Sequence, residues 1–120
     1  MRFAAVLAGV LVLAACASAP QAPNRSLQAA EQAIATAEQA RVADYASLEL
    51  SQAREKLAAA RRAVHQEEMI VAERLADEAL VEAQLATAKA SEIKAKKIND
   101  DMQESTRTLI LEMRRDTGIR

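Results

Sequence analysis

Apolar side chains recur along this chain at steps of three and four residues, the spacing that puts them on one face of an α-helix. Leu27, Ala30, Ile34, Ala37 and Ala40 make a first, narrow stripe, which predicts a helix over Leu27 to Val42. Ser26 stands before it as an N-cap, its hydroxyl able to accept from free backbone amides. Asp44-Tyr45-Ala46-Ser47 predicts a turn, with Asp44 or Ser47 capping the next helix. Tyr45 is expected to cover that turn, ring buried and hydroxyl wet. Leu50, Ala53, Leu57, Ala60 and Val64 then keep a heptad seam, with Glu49, Arg54, Glu55, Lys56, Arg61 and Arg62 on other faces. The second helix is therefore predicted over Leu48 to Val64. At His65-Gln66-Glu67-Glu68 the seam slips in phase and acidic residues crowd the segment that follows. Carboxylates suit a helix start, where the macrodipole is positive, so a second turn is expected here without Gly or Pro, the alternative being one unbroken helix through His65.

Met69, Ala72, Ala76, Ala79, Ala83, Ala86, Ala90 and Ile93 resume the rhythm, flanked by Leu75, Leu80 and Leu85. Most members are alanine, so a partner backbone can approach closely. Near Ala95 the phase shifts to a second stripe, Ile98, Met102, Leu109 and Met113. Lys94, Lys96 and Lys97 precede Asn99-Asp100-Asp101, where either a fresh helix is capped after a bend or the apolar face is merely interrupted. Gly118 closes the helical region. The expected fold is all-α: an antiparallel helical hairpin or three-helix coiled-coil-like bundle with a long C-terminal helix. Leu109, Ile110 and Leu111 are adjacent and cannot share one helix face. With Met113 they form the candidate surface for a protein partner or for self-association.

The start of the chain reads differently. Arg2 precedes an apolar run from Phe3 to Val12, closed by Leu13-Ala14-Ala15-Cys16. A charged end, a short apolar core and small residues make a secretory signal. The run is too short to span a bilayer, which takes roughly 20 apolar residues. Cys directly after the small pair resembles the lipobox of bacterial lipoproteins. That resemblance implies cleavage between Ala15 and Cys16, diacylglycerol on the thiol and acylation of the new amine. Lipidation also accounts for a single cysteine, which in an exported chain can close no internal disulfide. Ala17 and Ser18 lack the Asp that retains enteric-type lipoproteins at the inner membrane, so the periplasmic face of the outer membrane is expected. The expected organisation is a signal peptide over 1–15, lipidated Cys and tether over 16–25, an alanine-rich helical domain over 26–117 and a tail over 118–120. Pro20 and Pro23 keep the tether extended.

Composition narrows the field. Once Arg2 is removed, the 16 basic residues become 15 against 17 acidic ones, which gives no electrostatic case for nucleic acid. Tyr45 is then the one remaining aromatic residue, too few for a stacking platform. Between Asn24 and Thr117 nothing breaks a helix, and the Ala, Glu, Arg, Lys and Leu content is that of long helices and coiled coils.

Tyr45-Ala46-Ser47-Leu48-Glu49-Leu50, Ala53, Lys56-Leu57, Ala60 and Ala63, then Ala72, Leu75-Ala76, Ala79 and Ala83, resemble one bacterial family. It is the alanine-rich envelope domain of unknown function numbered forty-three ninety-eight, whose members are typically short lipoproteins. The resemblance covers about Gln28 to Ala95. It implies a helical architecture and an envelope address, and brings no known reaction. Ser47 stands where the family often has Pro, and His65-Gln66-Glu67 where it often has a Gly-Asp-Tyr-like turn.

No chemistry-bearing constellation is read from the sequence. His65 is the sole histidine, with Glu67 and Glu68 as its nearby acids, and is expected to be a solvated turn residue and no metal ligand. No residue partners it for nucleophilic catalysis, no Gly-rich phosphate loop occurs, and thin alanine-packed helices offer no substrate cleft. No enzyme activity and no cofactor are expected. The expected role is a lipid-anchored periplasmic structural or interaction module, the alternative a helical carrier or chaperone shielding a ligand. The chain ends Gly118-Ile119-Arg120, without the terminal Lys that small wall-linked lipoproteins join to peptidoglycan, so no covalent wall link is expected.

Overall fold

The computed structural model describes residues 21–118 as three helices. They are α1 over Asn24–Gln39, α2 over Ala43–His65 and α3 over Met69–Asp116. Ion pairs between the helices fix their directions. Arg54 meets Glu38 at 2.8 Å and Arg61 meets Glu31 at 2.7 Å, two pairs centred on the same position, residue 46. Lys56 reaches Glu82 at 3.1 Å and Glu78 at 3.4 Å across the α2–α3 turn. Both neighbours of α2 therefore run antiparallel to it. The start of α1 and the α2–α3 turn lie at one end of the bundle, and α3 leaves from the other.

The core follows the stripes read from the sequence. Ala30, Ile34 and Ala37 of α1 pack with Leu50, Ala53 and Leu57 of α2 and with Ala79, Ala83, Ala86 and Ala90 of α3. Ala72 and Ala76 continue the α3 seam toward the α2–α3 turn, and all six seam alanines are essentially without exposure. Leu50 and Val42 are the largest fully buried side chains among the described residues. A core this poor in bulk holds because small side chains let backbones approach and restore close packing.

Helices α1 and α2 stop in the same way. Arg41, at φ +55°, follows the last turn of α1; its amide donates to Glu38 O, and the Val42 amide to Ala37 O. Glu67, at φ +61°, does the same for α2: its amide donates to Val64 O and the Glu68 amide to Ala63 O. These are Schellman closures, whose left-handed residue is usually Gly. Here Arg and Glu occupy it. Gly118, at φ +59°, ends α3 and fits the rule.

Several expectations need correction. Helix α1 begins at Asn24, so residues 24 and 25 belong to it and not to the tether, and Ser26 lies inside it. Pro23 takes the cap position, its fixed φ suiting entry and its side chain making no hydrogen bond. Helix α1 ends at Gln39, and Ala40 is exposed in the turn. The Asp44–Ser47 turn is present as a break at Ala46, at φ −140° and ψ 53°, within α2. Asp44 pairs with Arg41 at 3.2 Å, and the start of α2 has no side-chain cap. Ala63 is buried at the end of the α2 seam, with Val64 only half-buried, since helix drift moves the seam by one position. Leu75 and Leu80 broaden the α3 seam, whereas Leu85 faces out. The bend at Asn99–Asp101 does not occur. Helix α3 runs unbroken for 48 residues. No Gly or Pro interrupts it, and Thr106 and Thr108 donate their hydroxyls to the carbonyls of Met102 and Glu104, within the helix.

Candidate interaction surface

The α3 seam of buried alanines ends at Ala90, and every residue from Ala95 to Gly118 is exposed. The residues from Ala95 to Asp116 extend about 33 Å beyond the bundle at 1.5 Å per residue. Lys94 fixes the exit point. Its ammonium donates to Ala40 O at 2.9 Å and sits 5.2 Å from the centroid of the Tyr45 ring. A cation thus meets an unsatisfied carbonyl at the negative end of α1 and the face of a ring together. Tyr45 is half-buried against the core, as expected of a turn cover.

The candidate partner residues lie on the projecting segment. Leu109, Ile110, Leu111 and Met113 keep between half and two thirds of their surface in solvent. Leu109 and Met113, four apart, share a face with Ile98 and Met102; Ile110 and Leu111 turn away from it. The projecting helix therefore carries one coherent apolar stripe and two outliers. Cys16 and Ala15, the lipidation and cleavage candidates, lie outside the described residues.

A second surface was not read from the sequence. Ile70 and Val81 are exposed on the outer side of α3, beside a groove of about 500 Å³ lined also by Lys56, Arg74, Glu78 and Glu82. The groove is open to solvent along its length; four of its charged residues are paired, while Glu73 and Asp77, which also line it, make no ion pair among the described residues. Arg74 donates to Glu78 at 2.7 Å, and Lys56 bridges Glu78 and Glu82. The Arg74 hydrogen bond holds the Glu78 carboxyl below its ordinary value, with Lys56 adding to the effect and burial opposing it. The Glu82 hydrogen bond holds the Lys56 ammonium above its ordinary value. These are signs of a structural network, and none places an unpaired acid or base beside another reactive group.

Glu49, expected on a solvated face, is buried in the α2–α3 interface and paired with Lys89. That hydrogen bond, helped by the Glu49 backbone, lowers its carboxyl pKa against the opposing effect of burial. Its partner lies 40 positions away, beyond any local pattern. His65 is exposed at the end of α2. Among the described residues no three His, Cys, Asp or Glu side chains gather at a metal-sized point, and no helix is long and apolar enough to cross a membrane.

The sequence model of the family described as "Domain of unknown function (DUF4398)" covers residues 25–102, from the start of α1 into the projecting part of α3. No curated protein and no solved structure matches the chain.

Proposed function

We propose that this chain, which belongs to the DUF4398 family of unknown function, is a lipid-anchored structural and interaction module of the bacterial cell envelope. The observation that carries the reading is Leu13-Ala14-Ala15-Cys16 at the end of a charged, short apolar leader. Acylated at Cys16, the chain is held by its N-terminus on the periplasmic face of the outer membrane, Ala17 and Ser18 offering no retention signal at the inner one. One chain holds weakly and two hold stably, because each buried methylene contributes about 0.8 kcal/mol.

The mechanism is display. The start of α1 lies at the end of the bundle from which α3 points away, so an anchor before α1 leaves the apolar stripe of α3 furthest from it. Rigidity comes from the ion pairs and the alanine seam, and the exposed stripe offers partners a preformed helix at little ordering cost. The carrier reading has less support, since the grooves between these helices are shallow and open. Fractionation of cells expressing the native chain and Cys16→Ser tests the proposal. The native chain should sediment with outer membranes and Cys16→Ser should not; equal recovery of both in the soluble fraction would exclude the anchor.

A further inference from the structure

We propose that two copies of this chain pair antiparallel along the outer faces of their α3 helices, about a two-fold axis that crosses near residues 91 and 92. Of the eleven large apolar side chains exposed among the described residues, ten belong to α3 and only Leu48 does not. They are ordered. Ile70 and Ile98 are 28 positions apart, Val81 and Met102 21, and Leu85 and Met113 28. All are multiples of seven, so a left-handed supercoil keeps them on one face along the whole helix. From Ile70 to Leu85 that face lies opposite the buried alanines.

The stripe is also its own mirror image. Ile70, Val81 and Leu85 are spaced by 11 and then 4, and Ile98, Met102 and Met113 by 4 and then 11. Turning a second α3 end for end sets Ile70 against Met113, Val81 against Met102 and Leu85 against Ile98 in a single register. Leu109 then lies over the aliphatic stem of Arg74. The mirror point falls between Ser91 and Glu92, within one residue of the midpoint of α3, so pairing runs the length of both helices. Near the centre stand Ala88, Ser91 and Ala95, small enough for close approach.

Charge selects the direction. Within α3, residues 69–92 carry five acidic and two basic side chains, and residues 93–116 carry six basic and five acidic. Antiparallel pairing lays the acidic half of one helix on the basic half of the other, whereas parallel pairing stacks like on like. The contact has to be made between two molecules, since both halves lie on one unbroken helix. Such an interface is isologous and closes as a dimer, each projecting segment lying along its partner's bundle. This names the partner of the display surface and rests on that reading; it sets the two anchored N-termini at opposite ends of the pair, so the anchored pair lies along the membrane.

Two differently tagged full chains, one Val81→Cys and the other Met102→Cys, are coexpressed and oxidised, and the linked peptides are mapped by mass spectrometry. The expected product is the Val81→Cys to Met102→Cys link between tags. Sedimentation of the purified chain should give twice the chain mass, and Met102→Asp should return it to one chain mass with unchanged helical circular dichroism. Val81→Cys joined to itself across two chains would overturn the antiparallel register. A monomer at every concentration would overturn the pairing, and would do so whether or not the chain fractionates with membranes.

Discussion

The ammonium of Lys94 lies 5.2 Å from the centroid of the Tyr45 ring while it donates to Ala40 O, where α3 leaves the bundle. Three segments distant in sequence are closed by one side chain. Lys94→Ala should lower stability by about 1 kcal/mol, the order of a partly exposed cation–π contact together with one hydrogen bond. Lys94→Arg should recover much of it. Urea denaturation followed by circular dichroism measures both, and no change in Lys94→Ala would show the contact to be idle.

Arg41 and Glu67 stand in left-handed conformations that normally call for Gly. Releasing that strain outweighs the extra freedom Gly gives the unfolded chain. Glu67→Gly should therefore stabilise the protein by about 0.5–1 kcal/mol. Arg41→Gly should act similarly, since its pair with Asp44 is exposed and contributes little. Thermal melts of the two variants and of Glu67→Ala separate the backbone effect from loss of the side chain, because Ala keeps the strain.

Packing through alanine makes the core intolerant in both directions. Leu50→Ala, at a position with no exposure, should cost about 2–5 kcal/mol. Ala83→Leu should cost about 1–3 kcal/mol or more by forcing three helices apart. Chemical denaturation reads both. A neutral Ala83→Leu would mean that the seam is looser than its burial indicates.

The pH dependence has two limbs. Glu49 and Glu78 have carboxyl pKa values lowered in the fold from an ordinary 4.5, so their stabilisation is in place above that value. It is lost as pH falls through their folded values. Lys56 is raised from 10.5, so its contribution is complete below that value and disappears as pH rises through the folded one. Stability should thus be level near neutrality and fall below about pH 4.5 and above about pH 10.5. Glu49→Gln should flatten part of the acid limb in urea midpoints measured from neutral pH downward through that limb.

Much of this fold is legible in the sequence because its signal is local. The alanine seam of α3 is a plain three-four rhythm, and the phase slip after Val64 marks a turn with neither Gly nor Pro. What escapes is non-local or lacks the customary residue. Glu49 looks like a surface acid until Lys89 is brought beside it. The closures at Arg41 and Glu67 are hidden because Gly, their usual marker, is missing. Asn99-Asp100-Asp101 suggests a bend by propensity, yet an uninterrupted run of good helix formers on both sides carries α3 through. The outer stripe escapes for another reason. Ile70 and Val81 sit among charges, and their relation to Met113 and Met102 appears only once α3 is known to be a single helix. Leu109 to Met113 could be singled out from their adjacency alone.

Intact-mass analysis of the chain purified from membranes tests the anchored-module account most directly. The account predicts a chain beginning at Cys16, heavier than its peptide by a diacylglycerol and one further acyl group. A chain that retains Met1, or begins at Cys16 with an unmodified thiol, would contradict it.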